Sequence, residues 1–154
     1  MGQTSFVCRR RTRASINLIV RRHVTTAMLA SVLAASVLGL VVIFQFLLAL
    51  GLPFGRAAWG GTHRVLPPRL RLFSALSAVP LGLAAWIVLA RTGVVVSLWQ
   101  PATIRAATWI AFSILALTTV ANLASRSRVE RLLMTPAAFV CSVCLLIAAL
   151  SRYR

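Results

Sequence analysis

The chain has 154 residues, of which 60% are hydrophobic and 12% charged, with 17 Lys+Arg against a single acid and a net charge of +16. Its mean hydropathy of +0.91 and its low charge lie far from the roughly 25% charged composition of water-soluble domains. A nucleic-acid-binding domain, the usual reading of so basic a chain, needs a soluble body to carry its basic face. No such body is present in the sequence, so nucleic acid is not an expected partner.

All 17 basic residues are arginine and the acid is Glu130. The arginines punctuate apolar runs, as helix ends at an anionic lipid surface require. The three cysteines, Cys8, Cys141 and Cys144, are odd in number and two stand in an apolar run, which argues against a disulfide framework.

Residues 1–26 form an arginine-rich segment carrying Arg9, Arg10, Arg11, Arg13, Arg21 and Arg22, expected to be disordered or interfacial. The apolar run behind it is longer than a signal-peptide core. The composition also fits a transit peptide. Phe6 stands where a myristoylation signal needs Ser or Thr, and a translation start at Met28 would still leave 23 residues for the first crossing.

A helix needs about 20 apolar residues to cross a hydrocarbon layer of about 30 Å. Four stretches qualify: residues 27–50, 72–90, 106–124 and 132–150. The expected fold is therefore all-α, a four-helix transmembrane bundle in residues 27–150 with short loops and a basic tail at 151–154. Pro80 stands mid-run in the second helix and Pro136 near the start of the fourth, each removing a backbone donor. Gln100-Pro101 suits the opening of the third. Ser127 and Glu130 have capping-box spacing, which starts the fourth helix near Arg128. Val94 to Trp99 is apolar but too short to cross, and is expected at the interface.

Four crossings put both termini on one side. That side carries ten arginines and the side of loops one and three carries seven. The bias favours termini in the cytoplasm, and reverses if the first 26 residues are discounted.

Helices in lipid associate through small residues and a few hydrogen bonds. Three stripes offer this: Ala27, Ser31, Ala35, Gly39; Ser74, Ala78, Gly82; and Ala137, Cys141, Cys144, Ala148. Gly39, Ala78, Gly82, Cys141 and Cys144 are the expected packing positions. With Val, Leu and Ala around them, the two cysteines suit packing better than redox or metal chemistry. Gln45 is expected to bond across a helix interface, and Asn122 to cap or anchor a loop.

Proton transfer needs a positioned carrier. Only Glu130, His23 and His63 are present, well separated in sequence, and none of the four cores holds an ionisable residue of the kind proton-coupled transport uses. No catalytic, cofactor-binding or metal site is expected, and the chain reads as non-enzymatic.

The first loop, Gly51 to Arg71, holds four glycines, three prolines, Trp59 and four arginines. It is expected to be compact and shaped. Arg56, Trp59, Arg64, Arg69, Arg71, Arg126 and Glu130 are the candidate contacts for a lipid headgroup or a protein partner. Ordinary interfacial anchoring accounts for the same residues. Loops one and three must share a side, so Glu130 is a candidate to pair with one of the loop-one arginines.

Three motifs stand in order along the chain: Gly55-Arg-Ala-Ala-Trp-Gly-Gly61, then Leu66-Pro-Pro-Arg-Leu-Arg71, then Asn122-Leu-Ala-Ser-Arg-Ser127 with Glu130, Arg131 and Pro136. On these the chain resembles a family of small, uncharacterised bacterial integral membrane proteins with four helices. The resemblance covers about residues 28–150. It implies four crossings of a bacterial inner membrane and brings no activity, substrate or cofactor. The long arginine-rich start departs from it, as does Met134, where the resemblance leads one to expect tryptophan.

The expected function is that of a multi-pass membrane protein whose basic loops contact lipid headgroups or a protein. The alternative is a subunit of a small oligomeric transporter or channel, for which Gln45, Thr118 and Thr119 offer thin polar lining. Expected partners are membrane lipids, and a second copy or another membrane protein.

Overall fold

A computed structural model describes the backbone of residues 3–151 and the side chains of residues 24–151. The structure is all-helical, with four long helices: α1 (Gln3–Ala49), α2 (Pro68–Arg91), α3 (Pro101–Leu123) and α4 (Arg128–Leu150). The arginine-rich start falls in the amino-terminal half of α1. Expectations about its side chains, and about Arg152 and Arg154, lie outside the described residues.

Among the described residues, four stretches are long and apolar enough to cross a membrane: Val24–Ala49, Pro68–Arg91, Pro101–Leu123 and Arg128–Leu150. At 23 to 26 residues each rises about 35 to 39 Å, more than the hydrocarbon thickness. The last three begin four or five residues earlier than hydropathy alone suggests. The reason is local: Pro68 and Pro101 occupy the first helical position with Pro67 and Gln100 extended before them, where a missing N–H costs nothing. Ser127 caps α4 by accepting a hydrogen bond from the Glu130 N–H at 3.3 Å.

The helices are arranged around the bundle in the order α2, α1, α4, α3. α1 packs on α2 and α4, α3 packs on α4, and of the four adjacent pairs α2 and α3 touch least. The core draws on all four helices, with Ala34 and Leu38 from α1, Ala84 and Val88 from α2, Ala111 and Leu115 from α3, and Cys141, Cys144, Leu145 and Ala148 from α4. The abundance of small residues lets backbones approach closely where lipid gives no hydrophobic drive. Leu40, Val79, Leu117 and Leu132 are each more than two-thirds exposed. Side chains of that kind around the whole bundle suit contact with lipid rather than water.

Two of the expected packing positions are not at contacts. Nothing lies within 4 Å of a Cβ built on Gly39 or on Gly82. The buried series on α1 is Ala27, Ser31, Ala34 and Leu38, which alternates steps of four and three. A strict four-residue step turns about 400° and so drifts about 40° each time; after three steps Gly39 has left the contact face. Ala78, Cys141 and Cys144 are buried, with the Cys141 thiol directed at the Ala34 carbonyl at 3.8 Å.

Arginines at the two ends of α2 cap the carboxyl ends of α1 and α4. Arg71 Nε donates to the Ala49 carbonyl of α1 at 2.8 Å, and Arg91 Nη2 donates to the Ser151 carbonyl after α4 at 2.6 Å. A cation at a helix carboxyl end satisfies an orphan carbonyl and complements the helix dipole. Beside Arg91, the buried Thr92 hydroxyl donates to Ser31 Oγ at 2.7 Å, tying α2 to α1. Between α2 and α3, Trp99 packs edge-on against Trp86 with ring centroids 5.2 Å apart.

Candidate functional site: a locked cap and the cleft beneath it

Loops one and three meet at one end of the bundle. Loop one folds into two short 3-10 turns, Gly55–Ala57 and Trp59–Gly61. Trp59, Gly60 and Gly61 all have positive φ, at 52°, 78° and 71°. The Gly61 N–H closes this turn on the Ala58 carbonyl at 2.9 Å, which leaves the Gly60 N–H to face an acceptor outside loop one. The Gly60 N–H donates to Glu130 Oε2 at 2.9 Å, and the Ser125 hydroxyl donates to the same oxygen.

Glu130 therefore bonds loop one through a backbone amide, where the sequence suggested an arginine. Its carboxylate also does not reach back to the Ser127 N–H as a full capping box would; that N–H goes to Ser125 Oγ at 3.2 Å. Ser127 makes the second link, donating its hydroxyl to the Arg56 carbonyl at 2.7 Å.

The glycines of the motif follow from this closeness. A Cβ on Gly61 would stand 2.6 Å from Ser127 Cβ, and one on Gly55 would stand 2.6 Å from the His63 carbonyl oxygen. Trp59 holds a left-handed backbone that costs a non-glycine residue about 1–2 kcal/mol. Offsetting that, its indole N–H donates to Ser74 Oγ at 3.0 Å, and its ring lies 6.0 Å from that of Phe73. Beneath the loop, Leu48, Ala58 and Leu66 form a second small core.

Of the seven candidate contacts, four are exposed arginines on this cap: Arg56, Arg64, Arg69 and Arg126. Arg71 is committed to α1. Trp59 is 40% exposed, so it is both a wedge and part of the surface. Arg128 and Arg131 are exposed on the same end. Arg69, Arg128 and Arg131 lie in or next to the first turns of α2 and α4, where a cation opposes the helix dipole. They do not serve the helices they stand on.

Under the cap runs a cavity of 620 Å³, within the usual range for a small-molecule site. Its walls are almost wholly apolar. Pro80 and Leu83 of α2 and Ile110 and Ile114 of α3 line it and are also exposed, so it opens sideways between those two helices. Along α3 the lining runs from Ala107 to Asn122, a length of about 22 Å at the helical rise. Polar groups gather at the cap end, where Gln45, Asn122, Thr118, Glu130 and Trp59 line it.

Gln45 Oε1 is shielded from solvent and has no hydrogen-bond partner. It points to no interhelical bond of the kind the sequence suggested. Sequence reasoning missed the cleft, because it depends on which helices are neighbours. It also missed Ser125 and the capping role of Arg91. The exposed His63 ring bonds its neighbour Thr62 at 2.8 Å, and lies apart from the cleft lining.

No family model matches the chain, and no curated protein and no solved structure is significantly similar to it.

Proposed function

We propose that this is a non-enzymatic multi-pass protein of a bacterial inner membrane that holds anionic lipid headgroups against the cap formed by loops one and three. The observation that carries this reading is the use of the cap. Glu130, the single acid of the chain, is spent on joining the two loops. The surface so held carries Arg56, Arg64, Arg69, Arg126, Arg128 and Arg131, all exposed.

Three of these oppose a helix dipole, which is a cost of about 0.3–1 kcal/mol each in the absence of an anion. An anionic headgroup beside them instead stabilises each cation through charge-assisted hydrogen bonds. The non-enzymatic reading is supported by the surroundings of the two proton carriers with described side chains: Glu130 is hydrogen-bonded within the cap, and His63 is exposed and bonds its neighbour Thr62. Ten arginines against seven favour termini in the cytoplasm, which puts the cap at the outer face of that membrane.

The test is lipid analysis of the detergent-extracted protein. Changing Arg56, Arg64, Arg69 and Arg126 together to glutamine should lower bound anionic lipid at least about tenfold, with neutral lipid unchanged. Anionic lipid retained at the wild-type level would contradict the reading.

A further inference from the structure

The cleft between α2 and α3 has a shape, a lining and a polar end that the headgroup reading does not use. We propose that it is the binding site for one acyl chain of an anionic, hydroxyl-bearing glycerophospholipid. The proposal rests on the headgroup reading, and adds which part of the lipid enters the protein and which residues meet it.

The length argues for a chain. A cleft lined over about 22 Å of α3 is longer than one half of a hydrocarbon layer of about 30 Å, and it runs along the helices rather than across them. Its lateral mouth, between Pro80 and Leu83 on one side and Ile110 and Ile114 on the other, faces the direction from which a lipid tail arrives. A water-soluble ligand would have to cross hydrocarbon to reach it.

The polar end argues for the headgroup class. Gln45 lies one helical turn inside the carboxyl end of α1, and its Oε1 is a buried acceptor with no partner. Such an atom costs free energy until a donor reaches it. Glu130, also on the lining, is a second acceptor. A hydroxyl on the lipid's polar part supplies the donor, and the net negative phosphate matches the arginines of the cap. A choline headgroup has neither the O–H nor the net charge.

The experiment uses the full chain, delipidated in detergent and titrated with phosphatidylglycerol while bound lipid is counted by native mass spectrometry. One tightly held phosphatidylglycerol per chain is expected, with phosphatidylcholine of the same chain length at least about tenfold weaker. Ala107→Trp, which fills the cleft from α3, and Gln45→Leu should each weaken phosphatidylglycerol at least about fivefold. Ala106→Trp, on an exposed position of the same helix, should not.

Dihexanoyl phosphatidylglycerol should bind at least about tenfold more weakly than the dipalmitoyl form. This comparison needs no variant and so survives any misfolding of Ala107→Trp. If both chain lengths bind alike and only the arginine variant loses binding, the acyl-chain site is overturned while the headgroup reading stands. If neither lipid binds above phosphatidylcholine, both fall. A dimer that Ala107→Trp dissociates, with lipid binding unchanged, assigns the cleft to a second copy and also overturns the proposal.

Discussion

Gly60 and Gly61 are adjacent, share a left-handed backbone, and separate two physical effects that loop glycines usually confound. Gly60 has open space where a Cβ would go, whereas the Gly61 Cβ would meet both Ser127 and the Arg56 carbonyl. Gly60→Ala should therefore cost only the backbone term, about 1–2 kcal/mol. Gly61→Ala should cost at least about 2 kcal/mol more, because backbone must shift to make room. Thermal unfolding in detergent reads the difference, and equal losses would show that loop three does not press on loop one. Glu130→Gln keeps the shape but removes the charge that the Gly60 amide and the Ser125 hydroxyl face. It should lower stability by about 1–3 kcal/mol, and an unchanged midpoint would place the carboxylate outside the cap.

The helices themselves were legible from local rules. Uninterrupted apolar length, proline at the first turn and the Ser127 cap gave four helices with ends displaced by only a few residues, since each rule acts within a few positions of chain. The stripes were less so. Ala78, Cys141 and Cys144 lie in the core, but Gly39 and Gly82 do not, because a helix contact follows alternating steps and a fixed step of four drifts away from it.

The arginines at the ends of α2 looked alike in sequence, yet Arg71 and Arg91 cap α1 and α4 while Arg69 faces out. Only the arrangement of carboxyl ends around α2 distinguishes them. Arg71→Gln should cost about 1 kcal/mol through loss of the α1 cap, where Arg69→Gln should gain about 0.3–1 kcal/mol in detergent, since no anion there offsets the opposed dipole. The Thr92 to Ser31 bond can be weighed in the same assay. A double-mutant cycle of Thr92→Val and Ser31→Ala should give a coupling of about 0.6 kcal/mol, and at most about 1.7 kcal/mol, as hydrogen bonds between membrane helices do. No coupling would mean that the two hydroxyls do not meet.

At the scale of the whole molecule, four helices close into a bundle with a slot between α2 and α3 and a locked end. The locked end could be anticipated in part: loops one and three had to share a side, and the W-G-G run together with S-x-x-E spacing marked both halves of the joint. That the halves are joined through a backbone amide could not be read, since it needs the folded path of loop one. The slot was invisible for the same reason, being a property of helix neighbours rather than of any helix. Both features require loops one and three on one face of the membrane and the second loop on the other.

That arrangement is tested most directly by labelling with a membrane-impermeant thiol reagent in oriented vesicles. Single cysteines would replace the exposed Thr62, Ser97 or Arg126 in turn, with Cys8 changed to serine and the buried Cys141 and Cys144 left in place. Thr62→Cys and Arg126→Cys should label from one face and Ser97→Cys from the opposite face alone. Labelling of Ser97→Cys from the same face as Thr62→Cys, or of all three from both faces, would contradict four crossings and the cap built upon them.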